Sequence, residues 1–263
     1  MNIFGAMFTK SMHLFAETFA NHTPGDPFII LSEVDSTNNY AMAKLHANAV
    51  PAGTCFQAVS QTAGKGQRGR QWQARPGENI TMSVCLHPVH PSFPFLLSAG
   101  MALGCYDFIK EYVSEPVAIK WPNDVYVNDR KAAGILIENL FRGGAWEWAV
   151  AGTGVNVNQA GFGELSARAT SLAIATGHDF DVTAAARRLH RHLVARHEWV
   201  AQSTPDGILS AYNAVLYRKN ETVRLKKDSA VFSTVIREVN IQGELVTRDA
   251  LERTFRVGEI QFL

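Results

Sequence analysis

The chain lacks most of the features of secreted, membrane-spanning and nucleic-acid-binding proteins. Among its 263 residues are three cysteines, Cys55, Cys85 and Cys105, and they form no CxxC pair. An odd number of widely spaced cysteines does not build a disulfide framework, which favours a reducing, cytoplasmic compartment. The formal net charge of +1 supplies no overall field that would attract nucleic acid or an anionic membrane. Any anion must therefore be bound by a local cluster of cations.

Long hydrophobic runs are also missing. The longest run, from Phe93 to Ile109, is interrupted by small and acidic residues and ends at Lys110, so it predicts a buried helix rather than a membrane span. The first 22 residues contain Lys10 as their one fixed cation, and no small-residue cleavage site follows a basic start, which argues against a signal peptide. With 46% hydrophobic and 19% charged residues, the composition is that of an ordinary globular protein.

Periodicity and turn residues predict an α+β chain. Predicted strands are 28–31, 56–60, 80–86, 117–121 and 146–153, and a hairpin is predicted to pair 125–127 with 134–138 across a turn at 128–130. Predicted helices run from Ser36 or Thr37 to about Ala47, and over 95–112, 182–202 and 205–216. From Glu221 onward, short alternating segments predict a small β-barrel. We therefore expect an N-terminal extension at 1–27, a main domain at 28–218 and a barrel domain at 219–263.

The glycine-rich segment Gly64–Gly69 is the first candidate site. Its letters, GKGQRG, match the dinucleotide fingerprint, but the chain continues as RQWQARPG, which cannot open the helix that a Rossmann loop requires. A P-loop is excluded too, because Arg70 and Gln71 follow where Lys and Ser or Thr are needed. A plain flexible connector remains the alternative. The nearby cations and Trp72 favour an adenine nucleotide, since they offer phosphate donors and a stacking face.

The second candidate site is KWPNDVYVNDRKAAGILIE, from Lys120 to Glu138. On its own, Lys131 would be an ordinary solvated charge on a turn, and Gly134 would be ordinary packing. The combination differs, because Pro122 breaks the chain soon after Lys120 and the small residues at 132–134 leave space beside Lys131 for a flat ligand. The letters VAIK at 117–120 also occur in protein kinases, but no HRD or DFG segment follows here.

Three segments together resemble the signature blocks of the biotin protein ligase family. They are GKGQRGRQW at 64–72, KWPND with RKAAGIL at 120–136, and GTGVNVN at 152–158, in the order and spacing of that family. The resemblance covers the chain from about Phe28 to the C-terminus, including DSTN at 35–38. It implies an α+β fold with a mixed or antiparallel sheet and helices, like the catalytic domain of class II synthetases and biotin ligases. A small C-terminal β-barrel of the Src-homology type would follow.

The resemblance also implies an activity. A biotin protein ligase is ATP-dependent and AMP-forming: it converts biotin to biotinyl-5′-AMP and transfers biotin to a lysine of a biotin carboxyl carrier protein. ATP and Mg²⁺ would be its cofactors, with magnesium entering on ATP rather than in a cage of protein ligands. A carrier domain of a biotin-dependent carboxylase is the expected partner, a homodimer is allowed, and neither nucleic acid nor a membrane is expected.

Individual residues receive roles by the same resemblance. The residues implied for biotin are Ser36, Thr37, Asn38, Gln61, Gly64, Lys65, Gly66, Gln67, Lys131, Gly134 and Leu136. The residues implied for ATP and the adenylate are Arg68, Arg70, Trp72, Asn123 and Asn156. The implied catalytic residues are Lys131, Arg68, Arg70 and Lys120. The loop departs from the commonest family pattern at Lys65 and Gln67, where arginines are frequent.

Three other functions compete with a biotin ligase. A lipoate or octanoate ligase has a similar catalytic domain, although the KWPND and GKGQRG blocks favour biotin. A non-catalytic nucleotide-binding module would explain the loop but not the paired lysines of the second site. A repressor would need a winged helix ahead of Phe28, for which 27 residues are too few, so we expect the monofunctional type. The histidines at 87, 90, 190, 192 and 197 lack the HExxH order of a zinc site and predict structural or surface roles.

Overall fold

A computed structural model describes residues 27–48 and 50–263, so 1–26 of the predicted N-terminal extension lie outside the described residues. The main part contains a seven-stranded sheet of order β1-β2-β3-β7-β6-β5-β4. Its strands are β1 (Phe28–Val34), β2 (Cys55–Gln61), β3 (Asn79–Leu86), β4 (Val117–Lys120), β5 (Asp124–Val127), β6 (Arg130–Arg142) and β7 (Ala145–Asn156). The β1–β2 pair is parallel and the other pairs are antiparallel. The predicted mixed sheet is therefore confirmed.

Helices cover both faces of this sheet. They are α1 (Thr37–His46), α2 (Phe95–Lys110), α3 (Leu172–Thr176), α4 (Val182–Gln202) and α5 (Pro205–Ala214). The larger hydrophobic cluster joins α2, α4 and α5 to one face, and a smaller cluster joins α1 to the other. Close packing of α2 on α4 depends on Gly100, because a Cβ there would lie 2.4 Å from Val200 Cγ2. Of the described helices, α1 is the one that packs on the second face.

Side-chain caps begin three of the helices, α3 among them through Ser171, whereas α1 has none. Asp181 accepts a hydrogen bond from the Ala184 amide at the start of α4, and Thr204 accepts one from the Gly207 amide at the start of α5. Such caps satisfy amides that have no partner inside the helix. Ser36 occupies the cap position of α1, as predicted, but its hydroxyl makes no capping hydrogen bond. Its side chain is thus not used to start the helix.

The hairpin of β5 and β6 has a different register from the one predicted. The structure pairs Val127 with Arg130 and Asp124 with Gly134, so the predicted pairing of 125–127 with 134–138 is wrong. The reason is the turn, in which Asn128 and Asp129 both have positive φ, 45° and 63°. Two left-handed residues form a two-residue turn whose twist matches that of the strands, so β6 begins at once. The new register brings the carboxylate of Asp124 beside Gly134.

A second sheet contains the C-terminal strands, in the order β11-β10-β9-β8-β12. The strands are β8 (Thr222–Lys227), β9 (Ala230–Val239), β10 (Leu245–Arg248), β11 (Glu252–Phe255) and β12 (Gln261–Phe262), and all their pairs are antiparallel. Ile236, Val239 and Leu245 belong to the main hydrophobic cluster, so the two sheets share one core. The division of the chain at 218/219 stays a prediction.

No helix in the described part of the chain is long and apolar enough to cross a membrane.

Candidate functional site

The floor of the candidate site is backbone, because three glycines lie together on the second face of the main sheet. Gly154 is paired with Gly134, and Gly152 is paired with Leu136. A Cβ at Gly154 would lie 2.3 Å from the Trp72 ring, and one at Gly152 would lie 2.3 Å from Asn38 Oδ1. A Cβ at Gly134 would lie 3.0 Å from Lys131 Nζ. The glycines therefore let strands β6 and β7 approach side chains that any larger residue would displace.

One wall of the site is a polar network at the start of α1. Ser83 Oγ lies 2.6 Å from Asn38 Oδ1 and 2.7 Å from Thr37 Oγ1, so it can donate to the amide oxygen and accept from the threonine. The Asn38 amide donates to Glu138 Oε2 at 2.7 Å. The Thr37 backbone amide donates to Gln61 Oε1 at 2.7 Å. These bonds fix the side chains before a ligand arrives.

The glycine-rich loop forms a short hairpin over this floor. The Trp72 amide donates to Gly64 O at 3.0 Å, and the Gly66 amide donates to Arg70 O at 2.7 Å. At the tip, Arg68 and Gly69 both have left-handed backbones, with φ of 57° and 74°. A Cβ at Gly64 would lie 2.5 Å from Trp72 O, so this glycine permits the close approach of the two arms. The hairpin places the Trp72 ring flat against Gly154.

Lys131 lies at the opposite wall, where several groups fix its position. Its Nζ is 2.6 Å from Asp124 Oδ1 and 5.6 Å from the centre of the Trp72 ring. Its backbone amide donates to Arg168 O at 2.8 Å, and its carbonyl accepts from the Thr170 amide at 2.9 Å. The site thus contains an oriented ammonium group next to an aromatic face. Asp124 was not among the predicted site residues, and its part in the site depends on the hairpin register.

Most of the predicted site residues line one pocket of about 470 Å³, part of it open to solvent. The predicted residues in its lining are Ser36, Thr37, Asn38, Gln61, Lys65, Gly66, Gln67, Trp72, Asn123, Lys131, Gly134 and Leu136. Thr81, Met82, Ile135, Gly152, Thr153 and Gly154 also line it and were not predicted. The signal that could have found several of them is strand alternation, since Thr81, Gly152 and Gly154 share a sheet face with Gly134 and Leu136. The roles of all these residues stay predictions.

Five predicted residues are not in the lining of this pocket, namely Gly64, Arg68, Arg70, Lys120 and Asn156. Arg68 and Arg70 lie exposed on the loop hairpin. Asn156 is buried, and its amide donates to Thr170 O at 2.9 Å and to Lys131 O at 3.4 Å. It therefore supports the backbone that carries Lys131.

Lys120 is enclosed by aromatic rings. Its Nζ donates to the Tyr126 hydroxyl at 3.1 Å and lies 4.7, 5.7 and 4.8 Å from the ring centres of Tyr126, Tyr217 and Phe262. Burial lowers the pKa of Lys120, while the carboxylate of Asp124 partly opposes that shift. The predicted catalytic lysine is thus held between the main sheet and the C-terminal strand β12.

Two of the histidines are buried and contact backbone carbonyl groups. His190 is fully buried with Nε2 2.9 Å from Gly53 O, and buried His197 has Nε2 2.8 Å from His87 O. Among residues 27–48 and 50–263, no group of three or more His, Cys, Asp or Glu side chains could hold a metal ion.

Comparison with known proteins gives a consistent result. A sequence profile of the Biotin/lipoate A/B protein ligase family matches residues 31–156. The biotin--[acetyl-CoA-carboxylase] ligase of Paracoccus denitrificans is 31% identical over 229 residues, which cover 83% of this chain and 93% of the relative. The bifunctional ligase/repressor BirA of Escherichia coli is 27% identical over 248 residues, covering 93% of this chain and 77% of the relative.

Among solved structures, the chain is similar to the biotin protein ligase from Aquifex aeolicus in complex with biotin and ATP. The TM-score is 0.76 and the sequence identity is 25%, with 90% of this chain and 99% of that chain covered. Because 90% of the chain is more than its first 218 residues, the likeness extends into the C-terminal part.

Proposed function

The chain belongs to the biotin/lipoate A/B protein ligase family, and from that premise we propose that it is a biotin protein ligase. It would use ATP to convert biotin to biotinyl-5′-AMP and would then transfer biotin to a lysine of a biotin carboxyl carrier protein. The observation that carries this proposal is that residues of α1, the loop hairpin and the β5–β6 hairpin line one pocket together. Biotin and ATP ligands of the Aquifex aeolicus structure give it independent support.

The first half-reaction joins two anions. A carboxylate oxygen of biotin attacks the α-phosphorus of ATP, the new O–P bond forms, the bond to the β-phosphate oxygen breaks, and pyrophosphate leaves. Negative charge accumulates near the α-phosphate, so fixed cations lower the barrier. Lys131 is suited to this task because Asp124, Trp72 and its own backbone hydrogen bonds hold it in place. Arg68 and Arg70 would supply further positive charge from the loop.

Recognition of the two substrates is divided between the walls of the pocket. The α1 network and Gln61 present hydrogen-bonding groups suited to the ring system of biotin, and the glycine floor gives Asn38, Trp72 and Lys131 the space they occupy around the pocket. Trp72 offers a stacking face for the adenine side. Magnesium, carried on the phosphates of ATP, would neutralise part of their charge.

In the second half-reaction the ε-amine of the carrier lysine attacks the acyl carbon. An amide C–N bond forms, the C–O bond to AMP breaks, and the proton of the attacking amine is released. Water would compete for the same carbon, so the loop hairpin over the pocket has a second use in limiting solvent access.

The cysteines support the expectation of a reducing, cytoplasmic setting. Cys55, Cys85 and Cys105 are all free and buried, and burial raises the pKa of the Cys85 thiol to about 12. Such thiols are poor nucleophiles and poor partners for disulfide exchange. Their placement indicates packing rather than redox chemistry.

The test is the exchange of labelled pyrophosphate into ATP in the presence of a carboxylic acid substrate. Biotin, lipoate and octanoate are tested in parallel on one preparation. We expect exchange with biotin alone. Exchange with lipoate or octanoate alone would instead assign the chain to the other branch of its family. An absence of exchange with all three acids would leave a nucleotide-binding module as the better reading.

Transfer requires a separate measurement. If exchange with biotin is observed, incubation with a purified biotin carboxyl carrier domain should add one biotin mass to it. A carrier whose acceptor lysine is replaced by arginine is the control and should gain no mass. Labelling of both carriers at similar rates would contradict enzyme-directed transfer.

A further inference from the structure

The tip of the loop hairpin touches the C-terminal sheet at one turn. This turn, Arg256–Glu259, connects β11 to β12 and is closed by a 3.1 Å hydrogen bond from the Glu259 amide to Arg256 O. Gly258 is its third residue and has φ of +89°, as a turn of type II requires. A Cβ at Gly258 would lie 1.6 Å from Arg68 Nη1 and 2.1 Å from Arg68 Cζ. The Arg68 guanidinium therefore occupies the space that any side chain at position 258 would need.

The turn belongs to a sheet that is anchored to the main part of the molecule. Trp121 Nε1 donates to Gly243 O at 2.9 Å, and the Asn213 side chain exchanges two hydrogen bonds with the backbone of Val239, at 2.9 and 2.8 Å. A Cβ at Gly243 would lie 2.6 Å from the Phe95 ring, so this contact is tight as well. The Arg256–Glu259 turn is thus a fixed point relative to the pocket.

The loop by itself does not fix the Arg68 side chain. The hydrogen bonds of the hairpin act on the backbone at 64, 66, 70 and 72, whereas Arg68 lies at the tip and is exposed. Because a guanidinium has five N–H donors in one plane, contact with a glycine on one side leaves donors available to an anion. A long side chain that is already seated also loses less conformational freedom when it binds.

We propose that the Arg256–Glu259 turn seats Arg68 for phosphate binding, with Gly258 as a positioning residue that acts through Arg68. This inference rests on the proposed function in one respect, namely that the anion met by Arg68 is the triphosphate of ATP. The C-terminal sheet thereby contributes to ATP binding by holding an arginine of the loop.

The first test uses the ligand-free protein. Gly258→Ala adds a methyl group that collides with the end of a flexible side chain, so Arg68 is displaced and the fold can remain. Gly144→Ala is the matched control, because Gly144 has φ of +82° and nothing within 4 Å of its Cβ position. We expect trypsin to cleave after Arg68 and Arg70 several-fold faster in Gly258→Ala than in Gly144→Ala. Equal cleavage rates in the two variants would show that the Arg256–Glu259 turn does not hold Arg68.

The second test separates the two substrates. In the exchange assay, Gly258→Ala should raise the KM for ATP about threefold to tenfold and leave the KM for biotin unchanged, as expected for coupling between residues in contact. In an Arg68→Ala background the same substitution should have no further effect. Equal changes in both KM values, or fully additive effects, would contradict action through Arg68. If the unmodified protein shows no exchange with biotin, the proposed function fails. The trypsin comparison still tests whether the Arg256–Glu259 turn holds Arg68.

A reciprocal measurement keeps Gly258 native in case its substitution unfolds the protein. Removal of the guanidinium in Arg68→Ala should increase hydrogen exchange at the Glu259 amide, which closes the turn. Arg75→Ala is the control, since Arg75 is in the same loop region but pairs with Glu78 at 3.8 Å. Unchanged exchange at Glu259 in Arg68→Ala would refute the contact.

Discussion

The ammonium of Lys131 is the residue-scale feature on which adenylation should depend most. Replacement by alanine removes a cation directed at the pocket, and loss of one such electrostatic donor costs on the order of 100-fold in rate. We therefore expect Lys131→Ala to reduce biotin-dependent pyrophosphate exchange by about that factor or more. The 2.6 Å pair with Asp124 is partly exposed, at 32% and 25% of the two side chains, so stability should change by less than about 1 kcal/mol.

The control for this substitution is Lys110→Ala, at the exposed C-terminal end of α2. Its exchange rate should match that of the unmodified protein. Near-normal exchange by Lys131→Ala, in a protein that melts at its usual temperature, would remove Lys131 from the reaction.

For single residues, the sequence predicted roles in the site but not the partners that surround each side chain. The family resemblance identified Lys131 from the letters RKAAGIL, but its ion-pair partner Asp124 depends on a register that those letters do not determine. Lys120 received the same catalytic role from KWPND, yet its Nζ lies among Tyr126, Tyr217 and Phe262. Phe262 is more than 140 positions away in the chain, and no local pattern predicts such a contact.

At the scale of elements, the glycine floor of β6 and β7 should set the position of Trp72. In Gly154→Ala the new methyl group would lie 2.3 Å from the indole ring, which is rigid and must move as a unit. Because stacking of a base on an aromatic ring is worth about 1–3 kcal/mol, we expect the KM for ATP to rise about tenfold. The tryptophan emission spectrum of the ligand-free protein should shift at the same time.

Gly161→Ala serves as the comparison for that variant. Its Cβ would meet the end of the Arg75 side chain at 3.2 Å, which can move aside. Both the KM for ATP and the emission spectrum should therefore stay unchanged. If Gly154→Ala behaved like Gly161→Ala, the indole would not be the face that ATP meets.

Helices and strands were predictable where the hydrophobic periodicity is strong. They were less predictable where the type of turn sets the pairing of two strands. The helix expected at 182–202 matches α4 at both ends, because its apolar positions repeat at helical spacing over many turns. The β5–β6 register was missed, since Asn128 and Asp129 close a two-residue turn where a three-residue turn was expected. The hairpin form of the glycine-rich loop was not predicted either, because its pairing of Gly64 with Trp72 is carried by backbone atoms.

At the scale of the whole molecule, the sequence indicated two β-containing parts but not that they pack on one shared hydrophobic core. Short alternating segments after Glu221 predicted the C-terminal sheet, which is present. Its attachment through Trp121, Asn213 and the shared hydrophobic cluster involves residues far apart in the chain, which periodicity cannot connect. The shared core explains how a change in the last strands could reach the pocket.

Acid sensitivity is a further property of the whole fold, and His190 should contribute to it. Burial of His190 lowers its pKa from 6.5 to about 4, although its hydrogen bond to Gly53 O favours the charged form. The unfolded chain thus binds more protons between these values, so the stabilising contribution is complete above pH 6.5 and is lost as the pH falls toward 4. At 1.36 kcal/mol per pKa unit, the loss is roughly 3 kcal/mol.

Urea unfolding at pH 7, 6 and 5 measures this effect directly. In His190→Gln the amide can still donate to Gly53 O, but no proton is gained on unfolding, so the free energy of unfolding should fall less steeply between pH 6.5 and 5. Part of the slope should remain, because burial also lowers the pKa of His197 to about 4. His46→Gln, at an exposed position at the end of α1, should retain the full slope. A slope in His190→Gln as steep as that of His46→Gln would show that His190 gains no proton when the protein unfolds in acid.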